Sequence, residues 1–162
     1  MGIFRFLKSA GQKLTSGKDD APSKTTGLSE QEVEDLTFGN RLARYAIELG
    51  VPVDGLKVRF KDGTATVEGK AESQAHRETV IIAIGNTEGV SNVEDRMTVV
   101  HPAPEAVFYT VKSGDTLSKI AREHYGSASK YPALFEANRP MLSDPDKIYP
   151  GQVLRIPPDG AK

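Results

Sequence analysis

The run His101-Pro102-Ala103-Pro104-Glu105-Ala106 divides this chain, because a Pro/Ala segment forms a stiffer connection than a Gly/Ser tether and continues neither neighbouring pattern. It splits 162 residues into two units, each within the ordinary size of a small domain. Hydrophobic residues at 38% and charged residues at 27% suit folded units rather than a disordered chain. The expectation is an α+β protein with domains at residues 29–100 and 108–157, joined by 101–107. Residues 1–28 precede them as an amphipathic helix with a polar connection, and 158–162 form a tail.

Within residues 3–14, Ile3, Phe4, Leu7, Ala10, Gly11 and Leu14 recur at helical spacing, with Arg5, Lys8 and Lys13 largely opposite, which predicts a short amphipathic helix. The Gly- and Pro-punctuated stretch Thr15–Gly27 reads as flexible. Ser29-Glu30-Gln31-Glu32 matches a capping box and opens a helix with Val33, Leu36, Leu42, Tyr45, Ala46 and Leu49 on its buried stripe. Gly39 is expected to bend it, and Gly50 followed by Pro52 to end it. Leu56, Val58 and Phe60 alternate with charged residues, Asp62-Gly63 supplies a hairpin turn, and Ala65 and Val67 resume the alternation. Ser73 caps a second helix, and one strand through Val93, Met97 and Val99 completes an αββαβ order. Past the linker, Val107–Val111 reads as a strand, Asp115 or Thr116 as a helix cap, Gly126 as a helix stop and Tyr131–Asn138 as a short helix. Pro150-Gly151 turns into a terminal strand Val153–Ile156, giving βααβ.

Several function classes lose support. With no cysteine, neither a disulfide framework nor a thiolate metal site is possible. Residues 29–100 carry eight basic against thirteen acidic side chains, a balance that disfavours nucleic acid and mildly favours a cation. His76, His101 and His124 are scattered, without an HExxH pair, a GxSxG elbow or a Walker glycine loop, so no catalytic residue is assigned and no enzyme is expected. His76 and His124 read as surface or packing residues of helices, and Asp144 and Asp146, separated by Pro145, as loop-structuring carboxylates rather than calcium ligands. Met1–Lys8 holds no uninterrupted apolar stretch of a signal-peptide kind, and no run approaches a membrane span, so a cytoplasmic location is expected.

Residues 108–157 resemble LysM domains, with Phe108-Tyr109-Thr110-Val111-Lys112-Ser113-Gly114-Asp115-Thr116-Leu117 at the front and Ile148-Tyr149-Pro150-Gly151-Gln152-Val153-Leu154-Arg155-Ile156-Pro157 at the back. The Asp144–Lys147 stretch makes the connection before Ile148 longer than in a minimal LysM domain. Residues 32–100 are similar to BON domains in their αββαβ order and Asp-Gly hairpin. The tandem, with its Met-Gly-Ile-Phe opening, resembles the bacterial cytoplasmic potassium-binding protein family over nearly the whole chain. That resemblance implies binding of potassium and larger alkali cations with a conformational response. An ion that stabilises one arrangement of the domains by mass action makes sensing or buffering the expected function, and a monomer is expected.

Potassium is selected by replacing its hydration shell with several backbone carbonyls, and the last turn of a helix offers unsatisfied carbonyls at its negative end. The expected ligands are therefore carbonyls of Leu7, Ala10 and Gly11 at the end of the N-terminal helix, joined by carbonyls of a BON loop. The alternative is that Gly11 stops the helix and Leu7 and Ala10 are core contacts. Two further readings stay open. The LysM resemblance implies an N-acetylglucosamine groove for peptidoglycan at Gly114, Asp115, Thr116 and Leu117 with Ile148, Tyr149, Pro150, Gly151 and Gln152. The opening segment, with Ile3, Phe4, Phe6 and Leu7 beside Arg5 and Lys8, offers weak attachment to a membrane surface, as the BON resemblance also implies.

Overall fold

The computed structural model describes residues 2–17 and 20–158. The first unit contains strand β1 (Gly2–Arg5), helix α1 (Glu30–Glu48), strands β2 (Val53–Lys61) and β3 (Thr64–Ser73), helix α2 (Gln74–Gly85), and strands β4 (Asn92–Asp95) and β5 (Thr98–His101). Ser29 caps α1 by accepting the Glu32 N–H at 3.1 Å, and Ser73 caps α2 by accepting the His76 N–H at 3.2 Å. Asp62 and Gly63 both take positive φ, 50° and 79°, so the β2–β3 turn has the twist a tight hairpin needs. α1 runs unbroken through Gly39. A Cβ there would lie 2.7 Å from the Val58 carbonyl, so the glycine lets the helix rest directly on β2.

The sheet order is β1-β4-β3-β2, with β5 also paired to β3. β4 and β5 run parallel to successive stretches of β3, so the predicted single last strand is two short ones. The break at Arg96-Met97 is held by Asp95 Oδ1, which accepts the Met97 N–H at 2.9 Å. Both helices cover the face carrying Val58, Ala65, Val67 and Val93, where the core also contains Leu42, Ala46 and Val80–Ile82.

The N-terminal segment departs from expectation: Gly2–Arg5 is an edge strand antiparallel to β4, with Phe4 opposite Val93, and not the start of a helix. Helical spacing and strand alternation overlap in so short a run, and tertiary pairing decides between them. Phe4 and Phe6 face inward while Ile3 and Arg5 are exposed, the two-residue period of a strand. The edge of β4 supplies the hydrogen-bonding partners.

Beyond residues 102–106 the second unit places β6 (Val107–Thr110) antiparallel to β7 (Val153–Ile156), with α3 (Leu117–Tyr125), a 3₁₀ turn (Ala128–Lys130) and α4 (Tyr131–Ala137) between them in sequence. His101 therefore closes β5 and Val107 opens β6, narrowing the expected linker by a residue at each end. Thr116 Oγ1 caps α3 by accepting the Lys119 N–H at 3.2 Å, and Gly126 ends it in the left-handed conformation. Val111, Leu117, Ile120, Leu134, Leu142, Leu154 and Ile156 form this unit's core. Residues 159–162 of the expected tail lie outside the described residues.

The two units share a packed seam. Every residue from Glu78 to Gly85 of α2 is buried, because the sheet covers one side and β7 reaches the other. Val153 of β7 belongs to the first unit's core, with Phe108 and Met141 packed against it.

Candidate functional site

Phe6 fixes where the segment after β1 must run. Its ring occupies the space beside Gly85, where a Cβ would lie 2.1–2.3 Å from three ring atoms, and its N–H donates to the Ser91 carbonyl at 2.8 Å. From there, residues 7–12 zip along the loop following α2. The Gly89 N–H donates to the Lys8 carbonyl at 2.9 Å, the Gln12 N–H to the Asn86 carbonyl at 3.0 Å, and the Glu88 N–H to the Gln12 carbonyl at 3.0 Å. Gly11, at φ 143°, is required by that approach, since a Cβ would stand 2.5 Å from the Asn86 oxygen.

Leu7, Ala10 and Gly11 thus lie together, but in a loop rather than at a helix end. The helix C-terminus at this place belongs to α2, whose negative dipole end meets the zipper. Leu7 O accepts the Ala10 N–H at 3.1 Å. Among the described residues, no backbone N–H donates to the carbonyls of Ala10, Gly11 or Glu88. The arrangement offers main-chain oxygen to a cation, whereas side chains offer little: no group of three or more His, Cys, Asp or Glu suited to a metal occurs among the described residues.

The same loop touches the second unit. A Cβ on Gly151 would lie 2.7 Å from Leu7 Cδ1 and 2.9 Å from Ala10 Cβ, so the Pro150-Gly151 turn lies directly against these two side chains, while the rest of Leu7 stays exposed. Nearby, the Asn86 side chain clasps Val153: Nδ2 donates to its carbonyl at 2.7 Å and Oδ1 accepts its N–H at 2.8 Å. Tyr45 of α1 is pushed up to about 12 by burial and by its neighbour Tyr149, whose own hydroxyl is raised by burial. Farther along, Glu78 accepts from Arg155 Nε at 3.0 Å and Nη2 at 2.9 Å, and from Gln74 and the Ala106 N–H at 3.0 and 2.8 Å. Phe4 and Phe108 complete the seam with ring centroids 4.8 Å apart.

The expected glycan groove divides. Asp115, Thr116, Leu117 and Ile148 line a surface groove of about 350 Å³ together with Ser118, Tyr131, Pro145 and Asp146. Gly114 and Pro150 are exposed and Tyr149 is half-buried, whereas Gly151 and Gln152 are buried, Gly151 against the N-terminal loop. Asp115 already serves the fold: its Oδ2 accepts the Tyr109 hydroxyl at 2.5 Å and the Lys112 N–H at 2.9 Å. The hydroxyl and the amide hold the Asp115 carboxyl below its ordinary range, while the bond to the carboxylate pushes Tyr109 up to about 12. Asp144 Oδ1 accepts the Asp146 N–H at 2.9 Å, the loop-structuring role the sequence suggested.

A membrane-anchoring helix has no basis in this arrangement. Phe6 is buried, Phe4 packs on Phe108, and Ile3 and Leu7 remain as the exposed apolar side chains of that segment. No described helix is long and apolar enough to cross a membrane.

Sequence reasoning also missed an anchor. Asp20, 1% exposed, accepts from Arg44 Nε at 2.8 Å, Arg41 Nε at 3.2 Å and the Gly17 N–H at 2.7 Å, while Arg44 Nη2 donates to the Thr15 carbonyl at 2.7 Å. The side-chain bond to Arg44, foremost among these contacts, lowers the Asp20 carboxyl from 3.8 to about 2. The connection read as flexible is therefore strapped to α1 at Thr15–Gly17 and Asp20. The clamp carried no local signal, because the arginine partners of Asp20 lie 21 and 24 residues away.

Comparison with known proteins agrees with this division. The BON domain profile matches residues 41–101, and the LysM domain profile matches residues 109–157. The "Potassium binding protein Kbp" of Escherichia coli O6:H1 is 42% identical over 158 residues, covering 97% of this chain and 99% of that protein. An uncharacterized protein of Deinococcus radiodurans is 53% identical over 49 residues, 30% of this chain and 19% of its own length. Esterase Rv1288 of Mycobacterium tuberculosis is 33% identical over 137 residues, 81% of this chain but 26% of the esterase.

Proposed function

Since the chain belongs to the family of the potassium binding protein Kbp, we propose that it is a non-enzymatic binder of potassium and larger alkali cations. The ion is held by backbone carbonyls of Leu7, Ala10 and Gly11 with carbonyls of the loop after α2. One observation carries the site: three main-chain hydrogen bonds join residues 7–12 to 86–89, yet the Ala10, Gly11 and Glu88 carbonyls have no backbone donor among the described residues. Free carbonyls beside the negative end of α2 suit a large, weakly hydrated cation, which exchanges its water for several such oxygens. A carboxylate cage would instead suit calcium or magnesium.

The seam gives the ion a structural consequence. Leu7 and Ala10 pack beneath Gly151, so ordering their carbonyls also orders the surface on which the LysM domain rests. An ion bound more tightly by the docked arrangement favours that arrangement by mass action. The protein then acts as a monomeric cytoplasmic potassium sensor or buffer. Gly11→Ala is the test, because the added methyl meets the Asn86 carbonyl and displaces the loop while sparing β1. Potassium binding by calorimetry is expected to disappear in a folded variant. Undiminished binding would refute the site.

A second reading has its own observation. The groove between Thr116 and Ile148 is open on the second domain, and the buried Gly151 is not among its lining residues. It suits a chain of N-acetylglucosamine units, and retention on purified peptidoglycan tests it.

A further inference from the structure

Asn86 touches the N-terminal loop and the LysM domain through different parts of itself. Its main-chain carbonyl accepts the Gln12 N–H at 3.0 Å, which fixes residues 7–12. Its side-chain amide holds both polar main-chain groups of Val153, at 2.7 and 2.8 Å, and Nδ2 also meets Met141 Sδ at 3.2 Å. Only 6% of the residue is exposed, so an unmade bond here leaves a buried polar group without water.

The clasp on β7 has a twin. Asn138, from the second domain's own α4 terminus, donates to the Arg155 carbonyl at 3.0 Å and accepts the Arg155 N–H at 2.8 Å. Two asparagine amides thus take the place of a neighbouring strand along one edge of β7, at alternate residues. One clasp is internal to the LysM domain; the other crosses from the BON domain. Separation of the domains breaks the bonds at Val153, and those of the Arg155 side chain to Glu78, and leaves the Asn138 bonds to the Arg155 main chain intact.

Resting on the potassium proposal above, we propose that Asn86 is the residue through which ion occupancy of the 7–12 loop sets the docking of the LysM domain. An ion on the loop carbonyls restrains the Gln12 to Asn86 contact and the end of α2. That restraint holds the Asn86 amide in register with Val153. Coupling is reciprocal, so loss of the clasp weakens ion binding as well as docking. Asn86 is a positioning residue, since its side chain reaches Val153 and Met141 and is not among the proposed ligands.

Asn86→Ala tests this, because Asn86 sits at φ −82°, ψ 22°, which alanine adopts without strain, and its main-chain carbonyl remains for Gln12. Potassium chloride titration is combined with small-angle scattering on wild type and variant. The variant is expected to bind potassium saturably but about 5- to 150-fold more weakly, the range of an ordinary coupling, and to lose the potassium-dependent compaction. Full compaction in a folded variant would overturn the inference. Absence of potassium binding in the wild type would instead overturn the ion proposal beneath it.

Hydrogen exchange in the unaltered protein provides a measurement that needs no variant. The Val153 amide is expected to gain protection with potassium in step with the Gln12 amide, while the Arg155 amide, bound within its own domain, stays unchanged. Equal responses at Val153 and Arg155, or none at Val153, would refute the role of Asn86.

Discussion

Replacing Gly85 with alanine sets two effects of opposite sign against each other. Gly85 is the last residue of α2, and alanine favours a helix over glycine by about 1 kcal/mol. Propensity alone therefore predicts a more stable protein. The added methyl would stand 2.1–2.3 Å from the ring of Phe6, far inside ordinary contact, and α2 is packed on both sides and cannot retreat. Phe6, 9% exposed, must leave its site. Exposing a buried phenylalanine costs roughly 1.5–3 kcal/mol. Eviction outweighs propensity by about 0.5–2 kcal/mol, which lowers the melting temperature by about 1–8 °C for a chain of this length. Thermal unfolding by circular dichroism measures the shift, and potassium titration of the same variant is expected to show weakened binding, because Phe6 precedes the loop that supplies the ligands. A variant more stable than wild type, with its potassium response intact, would refute the packing.

The buried Glu78–Arg155 pair predicts strong non-additivity. Arg155→Met strands the Glu78 carboxylate, whose side chain is 3% exposed, and is expected to cost about 3–5 kcal/mol, whereas Glu78→Leu combined with Arg155→Met recovers most of that loss in denaturant unfolding. A double variant no more stable than Arg155→Met would contradict the assignment. Asp20 predicts an acid dependence. Its folded value of about 2 lies below its ordinary 3.8, so its contribution is complete above about pH 4 and is lost as pH falls towards 2. Asp20→Asn should remove that part of the slope, and parallel stability curves for the two proteins between pH 2 and 5 would refute the clamp.

Local chemistry was legible in the sequence. Ser29, Ser73 and Thr116 cap the helices they precede because their hydroxyls satisfy an amide three residues on, and Asp62-Gly63 makes the expected turn because both residues tolerate positive φ. The N-terminal strand was not, although its alternation was present: Phe4 and Phe6 against Ile3 and Arg5 fits a period of two as well as Ile3, Phe4, Leu7 and Ala10 fits a helix. Its pairing partner lies about ninety residues away in β4, and the Gly85 notch that receives Phe6 is equally remote. The contiguous apolar run Val80–Ile84 did carry a readable signal, since a helix apolar on every side must be covered on every side. Such a run calls for a second layer over α2, which β7 of the second domain supplies. Which residues dock it was not legible, because Glu78 meets Arg155 across 77 positions and Asn86 meets Val153 across 67.

The placement of Leu7, Ala10 and Gly11 shows how a grouping can survive the loss of its rationale. The three were brought together as the end of a helix that is absent, yet they share one loop because Gly11 alone permits the approach to Asn86. The helix end with its free electrostatic potential belongs to α2.

Calorimetric titration of potassium-free protein with potassium chloride and, separately, with sodium chloride tests the central claim most directly, with small-angle scattering recorded along both series. Saturable potassium binding with compaction, and little response to sodium, is the predicted result. Indistinguishable responses to the two salts would contradict it.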